Sequence, residues 1–436
     1  MHDAATTNAT NAAHEAPARR RSWYGRMPLY LKIVIGLALG VVAGVLIHRL
    51  APDPAALAMK VGVPATLILR LLNAIAPPLI LVAVMRALLG AKVGGHLAGR
   101  MFFLLVLNTL VAIFIGLLVA NVVRPGRHAR LTPTKPPDMK TSPVDALLEN
   151  VPDSLLKPLV EGKVIGVIIV AVAFGLAARR LDERRRAQIL AALEIGFDLI
   201  LIVLMWVIAL VPLAVFSKVS AVIGEKGFAP FKALAWFIVA VLVALLLQAT
   251  WYLTRVKFSS WVSPTQLIRG TRDALVMAFS TGSSTATMPV TYACLRQRVG
   301  LRDEAASLGS LVGSNFNNDG TALYEAMAAL FIAQMIGVQL SLTQQAMVVL
   351  TSVIASVGAA GIPEAGLVTM ILVFNAVHLP TEYIALLLPV DWFLDRCRTV
   401  INVMGDLNVS CLLDGKTPHP PEQDPELAAI VGAAET

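Results

Sequence analysis

Long apolar runs separated by short charged connections set the pattern of this chain. The runs are Leu31–Ile47, about Val61–Leu89, Met101–Val123, Val164–Ala178, Ile195–Val222 and Ala233–Leu253. Most approach or exceed the ~20 residues with which an α-helix crosses a bilayer. Pro77-Pro78 predicts a kink in the second run. The third holds a single polar pair inside, Asn108-Thr109.

Beyond Lys257 the segments become short, rich in small residues and broken by Gly and Pro. Ala274–Thr291 contains Ser-Thr-Gly-Ser-Ser-Thr-Ala-Thr-Met-Pro (280–289), and Ser352–Val373 contains Ala-Ser-Val-Gly-Ala-Ala-Gly-Ile-Pro-Glu-Ala-Gly (355–366). Each predicts a helix, a small-residue tip and a second helix, a hairpin that enters and leaves the membrane on one side. Irregular backbone at membrane depth is tolerated only where protein or a cavity surrounds it. Two interrupted apolar segments in corresponding positions point to the binding site of a transporter. Each hairpin is followed by a helix with polar residues in mid-span, Ser314–Glu325 and Asp391–Asp406.

The second of these helices carries the densest charge. Asp391, Asp395, Arg398, Asn402 and Asp406 follow one another at intervals of 4, 3, 4 and 4 residues. With about 100° per residue they fall in a stripe roughly 80° wide. Charges inside a membrane are costly and mark function by default. Asp395 and Arg398 either neutralise each other or wait for a ligand: an Arg fork suits a carboxylate, and an Asp accepts from an ammonium. Arg396, about 100° from Asp395, belongs to another face.

In Gly313–Thr321 the series Gly-Ser-Asn-Phe-Asn-Asn-Asp-Gly-Thr predicts a break that offers side-chain and main-chain oxygens. Oxygen ligands suit small hard cations, and unwound carbonyls hold Na⁺ in broken-helix transporters. A polar turn outside the membrane is the plainer alternative, weakened by the apolar helix expected over Ala322–Ile336. Glu325, one turn past the break, reads either as a proton carrier or as a structural hydrogen-bond donor.

Composition agrees with a membrane protein. Hydrophobic residues make up 57% of 436, charged residues only 15%, and mean hydropathy is +0.73. The net charge of +8 fits basic cytoplasmic loops, and no run combines Lys/Arg with stacking aromatics as nucleic-acid binding would require. Cys294, Cys397 and Cys411 have no metal-ligand spacing. Met1–Arg21 lacks the apolar core of a signal peptide and predicts a disordered tail, which the basic residues before Leu31 place in the cytoplasm. Ala178–Arg186 is likewise a basic cytoplasmic loop, and Arg255 and Lys257 flank the end of the sixth run. Alternation of sides puts the Pro-rich loop Arg124–Pro143 outside, although its five basic residues run against the charge rule.

At Gly282–Thr291, Asn317–Glu325, Ala355–Gly366 and Asp391–Asp406 the sequence resembles the dicarboxylate/amino acid:cation symporter family, over roughly Leu31–Leu413. The resemblance implies an all-α polytopic fold of eight transmembrane helices plus two re-entrant hairpins, divided into a scaffold and an elevator-type transport domain. Residues 1–28 and 413–436 are then tails. Residues 29–100 carry scaffold helices 1–2, 101–123 helix 3 of the transport domain, and 124–225 a loop with scaffold helices 4–5. Residues 226–412 hold the rest of the transport domain: helix 6, hairpin 1, broken helix 7, hairpin 2 and helix 8. A homotrimer in the cell (inner) membrane with both termini cytoplasmic is also implied.

The same resemblance implies that Asp395 meets the substrate ammonium and Arg398 its side-chain carboxylate. Thr321, Thr399, Asn402 and main-chain groups of Ser284, Ile362 and Gly366 are the other implied substrate contacts. Gly313, Asn317, Asn402 and Asp406 match one sodium site, and Asn317 and Asp319 with the third run a second. Asn315 with main chain of Ser356, Val357 and Ala359 matches a third. Gly282 at the first tip and Arg396 on the last helix shade toward the animal branch, in which the position of Glu325 is linked to proton and potassium coupling. Asn318 stands where the family carries Met, and Glu364 where others carry a small or neutral residue. The third run matches its family ligands no further than Asn108-Thr109.

The function so implied is Na⁺-driven uptake of L-glutamate or L-aspartate, without enzymatic activity or a bound cofactor. Moving a net −1 solute into a negative interior costs about 2.3 kcal/mol per 100 mV, and two or more accompanying cations reverse the sign. A C4-dicarboxylate carrier does not need Asp395, and a neutral amino-acid exchanger does not need Arg398. A pure anion channel does not need two gated hairpins. An intramembrane aspartyl protease needs Gly-x-Gly-Asp ending at Asp406, and position 403 is Val403.

Overall fold

The computed structural model describes residues 27, 29–90, 96–128, 152–161, 164–358 and 365–418, and the regular structure among them is helical. Most of both expected tails and most of the Arg124–Pro143 loop lie outside the described residues, while residues 413 and 414, expected in the second tail, belong to the last helix. Among those described, five helices are long and apolar enough to cross a membrane: Leu31–Leu50, Pro54–Arg86, Gly99–His128, Glu183–Ile208 and Phe231–Ser259.

The first half of the chain forms α1 (Leu29–Leu50), α2 (Pro54–Val61), α3 (Val63–Gly90), α4 (His96–Val123), α5 (Val164–Ala178), α6 (Glu183–Ile208) and α7 (Val211–Lys226). Asp53 starts α2 by accepting from the Ala56 N–H at 3.0 Å, with Pro54 at the position that needs no N–H. α3 stays helical through Pro77-Pro78, so the prolines do not divide it. The expected single span Ile195–Val222 is incorrect, because the helix breaks at Ala209-Leu210. Pro212 explains the break: it offers no N–H to the Ile208 carbonyl and its ring crowds that carbonyl.

α1 and α7 pack along a stripe of glycines four residues apart. A Cβ on Gly36 would lie 2.5 Å from the Pro212 carbonyl oxygen, one on Gly40 2.9 Å from that of Phe216, and one on Gly44 2.6 Å from Ile223 Cβ. Small residues at this spacing let two membrane helices touch backbone to backbone, where van der Waals contact rather than water exclusion holds them. α3 packs on α5 and α6.

The second half has α8 (Ala229–Ser259), then α9 (Arg272–Thr281) and α10 (Ser284–Cys294), which form the first predicted hairpin. Its tip turns at Gly282, left-handed at φ 64°, and Ser283 caps α10 by accepting from the Ala286 N–H at 3.1 Å. The predicted break follows: a one-turn helix at Asp303–Ala306, a wide turn at Ser307–Val312, a tight turn at Gly313–Asn315 and non-helical Phe316–Asn318. α11 (Asp319–Met335) then runs through the centre, buried on every side except at Gln334. Past Glu325 its residues 326–333 are apolar on every face, as suits a helix inside a protein.

α12 (Leu342–Gly358) and α13 (Ala365–Ala376) are the arms of the second hairpin, whose tip, residues 359–364, lies outside the described residues. α14 (Leu388–Asp414) closes the chain, spanning about 40 Å at 1.5 Å per residue. α11 packs against α4, α12, α13 and α14, and α8 packs on α4 and α14.

Candidate functional site

α14 presents its polar stripe inward: Asp391, Asp395, Arg398, Asn402 and Asp406 are all buried. Arg398, with no exposed surface, donates from Nη1 to Asp391 Oδ1 at 2.8 Å and from Nη2 to Asp395 Oδ1 at 2.7 Å. Its guanidinium carbon lies 4.0 Å from the centre of the Tyr324 ring, a cation–π contact that needs no water. Its Nε has no hydrogen-bond partner. A Cβ on Gly366 would lie 3.1 Å from Arg398 Nη2 and 3.3 Å from Thr321 Cγ2, so glycine lets the second hairpin, α11 and α14 converge on the guanidinium. Glu325, one turn beyond Thr321, is fully buried with Thr369 and Arg398 as neighbours. The Thr399 hydroxyl donates to the Asp395 carbonyl at 2.8 Å.

One turn along, amide and carboxylate oxygens gather. Asn402 Oδ1 accepts from the Gly320 N–H at 2.8 Å, and its carbonyl accepts from Asn317 Nδ2 at 2.8 Å. Asn317 Nδ2 also reaches Asp406 Oδ1 at 2.8 Å, while its Oδ1 is a buried acceptor without a hydrogen-bond partner. Gly313 adjoins Asp406, its Cβ position 3.4 Å from Oδ1. The four residues matched to the first sodium site thus meet in one place, under the break that the Asn/Asp/Gly series predicts. Two glycines permit this: a Cβ on Gly320 would lie 2.6 Å from the Arg398 carbonyl oxygen, and one on Gly405 would meet the Asn317 amide and Tyr252.

Asp319 belongs to the second matched set. Its Oδ1 accepts from the Thr109 hydroxyl at 2.6 Å, and its Oδ2 from the Tyr252 phenol. Of the third set, Ser356 offers its carbonyl to Asn318 Nδ2 at 2.9 Å, and Asn318 Oδ1 accepts from Asn402 Nδ2 at 3.3 Å. Asn318, in the family's Met position, therefore ties the second hairpin to α14. Asn315 stands in the tight turn and Val357 in the last turn of α12, while Ala359, Ile362 and Glu364 lie outside the described residues.

Ser284 is buried in the first turn of α10, in a hairpin packed on α14. Arg396 stands off the stripe as its 100° step predicts. Its guanidinium is 4.6 Å from the Trp392 ring centre and its Nη1 donates to the Trp392 carbonyl at 3.0 Å.

Three participants escaped the sequence reading. Asp391 holds Arg398 through an i,i+7 pair that the stripe made available but did not assign. Tyr324 and Tyr252 come from helices whose apolar texture hides a single phenol. Among the described residues no three His, Cys, Asp or Glu side chains gather as for a resident metal. The array of amides, carbonyls and one carboxylate suits a weakly held monovalent cation.

Residues 29–416 match the model of the sodium:dicarboxylate symporter family. Excitatory amino acid transporter 2 of Homo sapiens is 32% identical over 448 residues, covering 88% of this chain and 78% of the relative. The corresponding protein of Rattus norvegicus is 30% identical over 472 residues, 93% of this chain and 82% of the relative. An excitatory amino acid transporter of Caenorhabditis elegans is 31% identical over 444 residues, 88% of this chain and 87% of the relative.

Proposed function

Because this chain belongs to the sodium:dicarboxylate symporter family, whose members are membrane transporters, we propose that it couples Na⁺ entry to uptake of L-glutamate or L-aspartate. The observation that carries this reading is Arg398, a wholly buried guanidinium held by two carboxylates of its own helix with an unpartnered Nε. Asp391 fixes the fork, and an incoming acidic side chain takes Nε and the face that Asp395 now occupies. Asp395 is then released to accept the substrate ammonium. Thr321, Thr399, Asn402 and main chain of Ser284, Ile362 and Gly366 complete the substrate site in this reading.

Gly313, Asn317, Asn402 and Asp406 hold one Na⁺, and Asn315 with main chain of Ser356, Val357 and Ala359 holds another. Asn402 lies in both the substrate and the cation set, so binding either orders the residue the other needs. Glu325, beside Arg398, is the group suited to carry a proton, and Arg396 the coupling charge outside the stripe. The second hairpin gates the site, and the hairpins with α4, α8, α11 and α14 slide as one unit against the scaffold. Two hairpins with small-residue tips, the first packed on α14 and the second on α11, support this elevator reading. The layout is eight spans plus two hairpins, in a homotrimer of the cell membrane with cytoplasmic termini.

The test is uptake of labelled aspartate, glutamate and succinate into proteoliposomes, varying Na⁺, H⁺ and internal K⁺ one at a time. An inward Na⁺ gradient is expected to accumulate aspartate or glutamate well above succinate. Succinate uptake equal to or above both would make the protein a C4-dicarboxylate carrier and remove the role given to Asp395.

A further inference from the structure

Arg255 follows an apolar run and reads from sequence as a flanking charge. In the structure it stands near the end of α8, half-buried, with its guanidinium turned toward the transport core. Its Nη1 donates to Asn108 Oδ1, and Asn408 Oδ1 lies 3.5 Å from the same nitrogen. Asn108 Nδ2 reaches Asn408 Oδ1 at 3.3 Å, and the Asn108 carbonyl accepts from Gln248 Nε2 at 3.3 Å. One turn earlier on the same face of α8, Tyr252 donates to Asp319 Oδ2, while Thr109 holds Oδ1 at 2.6 Å. Arg255 and Asp319 are linked through adjacent residues of α4, Asn108 touching the guanidinium and Thr109 the carboxylate.

These are residues matched to the second sodium site: Asn317 and Asp319 with the Asn108-Thr109 pair of the third run. Here both Asp319 oxygens accept from hydroxyls, and both oxygens of Asn108 accept from protein nitrogens. A cation bound among them competes with the Arg255 guanidinium for Asn108 Oδ1 and sits beside a fixed positive charge, which the partly desolvated surroundings screen weakly. Asn317 Oδ1 of the same set has no hydrogen-bond partner, but with the guanidinium holding Asn108 Oδ1 the set does not suit Na⁺ while Arg255 is present.

We propose that Arg255 is a resident counter-charge for Asp319 that takes the place of the second sodium ion, so that substrate binds with one sodium ion fewer than it would with an uncharged residue at 255. The inference rests on the sodium-coupled reading above, and its test separates the two.

Binding of labelled L-aspartate to the full-length purified protein is measured over a range of Na⁺ with choline as the replacement ion. The slope of log Kd against log [Na⁺] counts the ions bound with substrate. Arg255→Met is expected to steepen that slope by about one, and Arg255→Lys to leave it at the wild-type value. Equal slopes for wild type and Arg255→Met overturn the proposal.

The second measurement is the Tm as a function of Na⁺ alone, which needs no substrate. Arg255→Met is expected to be stabilised more steeply by Na⁺ than wild type, and identical Na⁺ dependence overturns the proposal. Tyr252→Phe removes a hydroxyl from Asp319 and keeps the guanidinium, so it keeps the wild-type slope. A steeper slope in Tyr252→Phe assigns the obstruction to the hydroxyl and overturns the role of Arg255. Wild-type protein that binds neither aspartate nor glutamate at any Na⁺ concentration counts against the substrate reading, and the Na⁺-only comparison still decides on Arg255.

Discussion

Two helix seams in this protein depend on glycine, and they put the closeness to different uses. Along α1–α7, Gly36, Gly40 and Gly44 meet carbonyls and aliphatic carbon of the facing helix. Between α11 and α14, Gly320 meets the backbone of Arg398, and Gly405 meets the Asn317 amide and the Tyr252 hydroxyl. The first seam gains dispersion contact between surfaces that lipid would otherwise cover. The second brings backbone dipoles, amides and charges within hydrogen-bond reach in a buried place, where each unsatisfied group is costly. A small-residue contact is therefore adhesive or functional according to what stands beside the glycine.

The largest expected effect comes from removing the charge at the centre of the second seam. Arg398→Cys leaves Asp391 and Asp395 buried without their common partner, a change of the kind that costs about 3–5 kcal/mol. Uptake of glutamate and aspartate into vesicles is expected to fall by two to three orders of magnitude, with neutral substrates admitted in their place. Acidic uptake at the wild-type rate would show that Arg398 does not read the substrate side chain.

Next come the glycines themselves. Gly320→Ala places a methyl 2.6 Å from the Arg398 carbonyl oxygen, and Gly36→Ala places one 2.5 Å from the Pro212 carbonyl oxygen. Each overpacks backbone against backbone, at about 1–3 kcal/mol of stability. The prediction is that the two separate in function. Gly320→Ala shifts the Na⁺ dependence of uptake, because the Gly320 N–H is held by Asn402 Oδ1. Gly36→Ala lowers the Tm but leaves uptake per folded molecule near wild type. Similar Na⁺ dependence in both variants would erase the distinction between the seams.

The same distinction explains what was legible in the sequence. The polar stripe, the break at Gly313–Thr321 and the hairpin tip at Gly282 are local signals, since spacing, Asn/Asp/Gly content and glycine conformation act within one segment. Each stands where the sequence places it. The span Ile195–Val222 misled because apolar content is continuous across a joint that Pro212 alone marks. Arg255 misled more deeply, because the side to which a helix-end charge turns is decided by Asn108 and Asn408, each about 150 residues away in the chain. Tyr252 and Tyr324 were silent for the same reason: a lone phenol in an apolar helix gains meaning only from the carboxylate or guanidinium opposite.

Asn318 offers a middle-sized test of the tie between the second hairpin and α14. Asn318→Ala removes the bond to the Ser356 carbonyl at 2.9 Å and the contact with Asn402 at 3.3 Å. Buried groups left unsatisfied cost about 1–3 kcal/mol, so apparent affinity for Na⁺ is expected to fall roughly tenfold. The check is half-saturating Na⁺ in aspartate uptake, and an unchanged value would detach Asn318 from cation binding.

The smallest effects compare two helix caps of the same chemistry in different surroundings. Asp182 caps α6 by accepting from the Arg185 N–H at 3.0 Å on an exposed surface, and Ser283 caps α10 at 3.1 Å in the first hairpin tip. Replacing either with Ala costs about 1 kcal/mol by loss of one side-chain acceptor. At Asp182 the loss stays local, because the residue before α6 touches no part of the polar core, and only a lowered Tm is expected. At Ser283 the unsatisfied N–H belongs to the helix start beside Ser284, whose main chain is proposed to face the substrate. There the same loss is expected to raise the KM for aspartate a few-fold at unchanged sodium dependence. Equal KM values for the two variants would mean that the first hairpin positions no substrate contact through its tip.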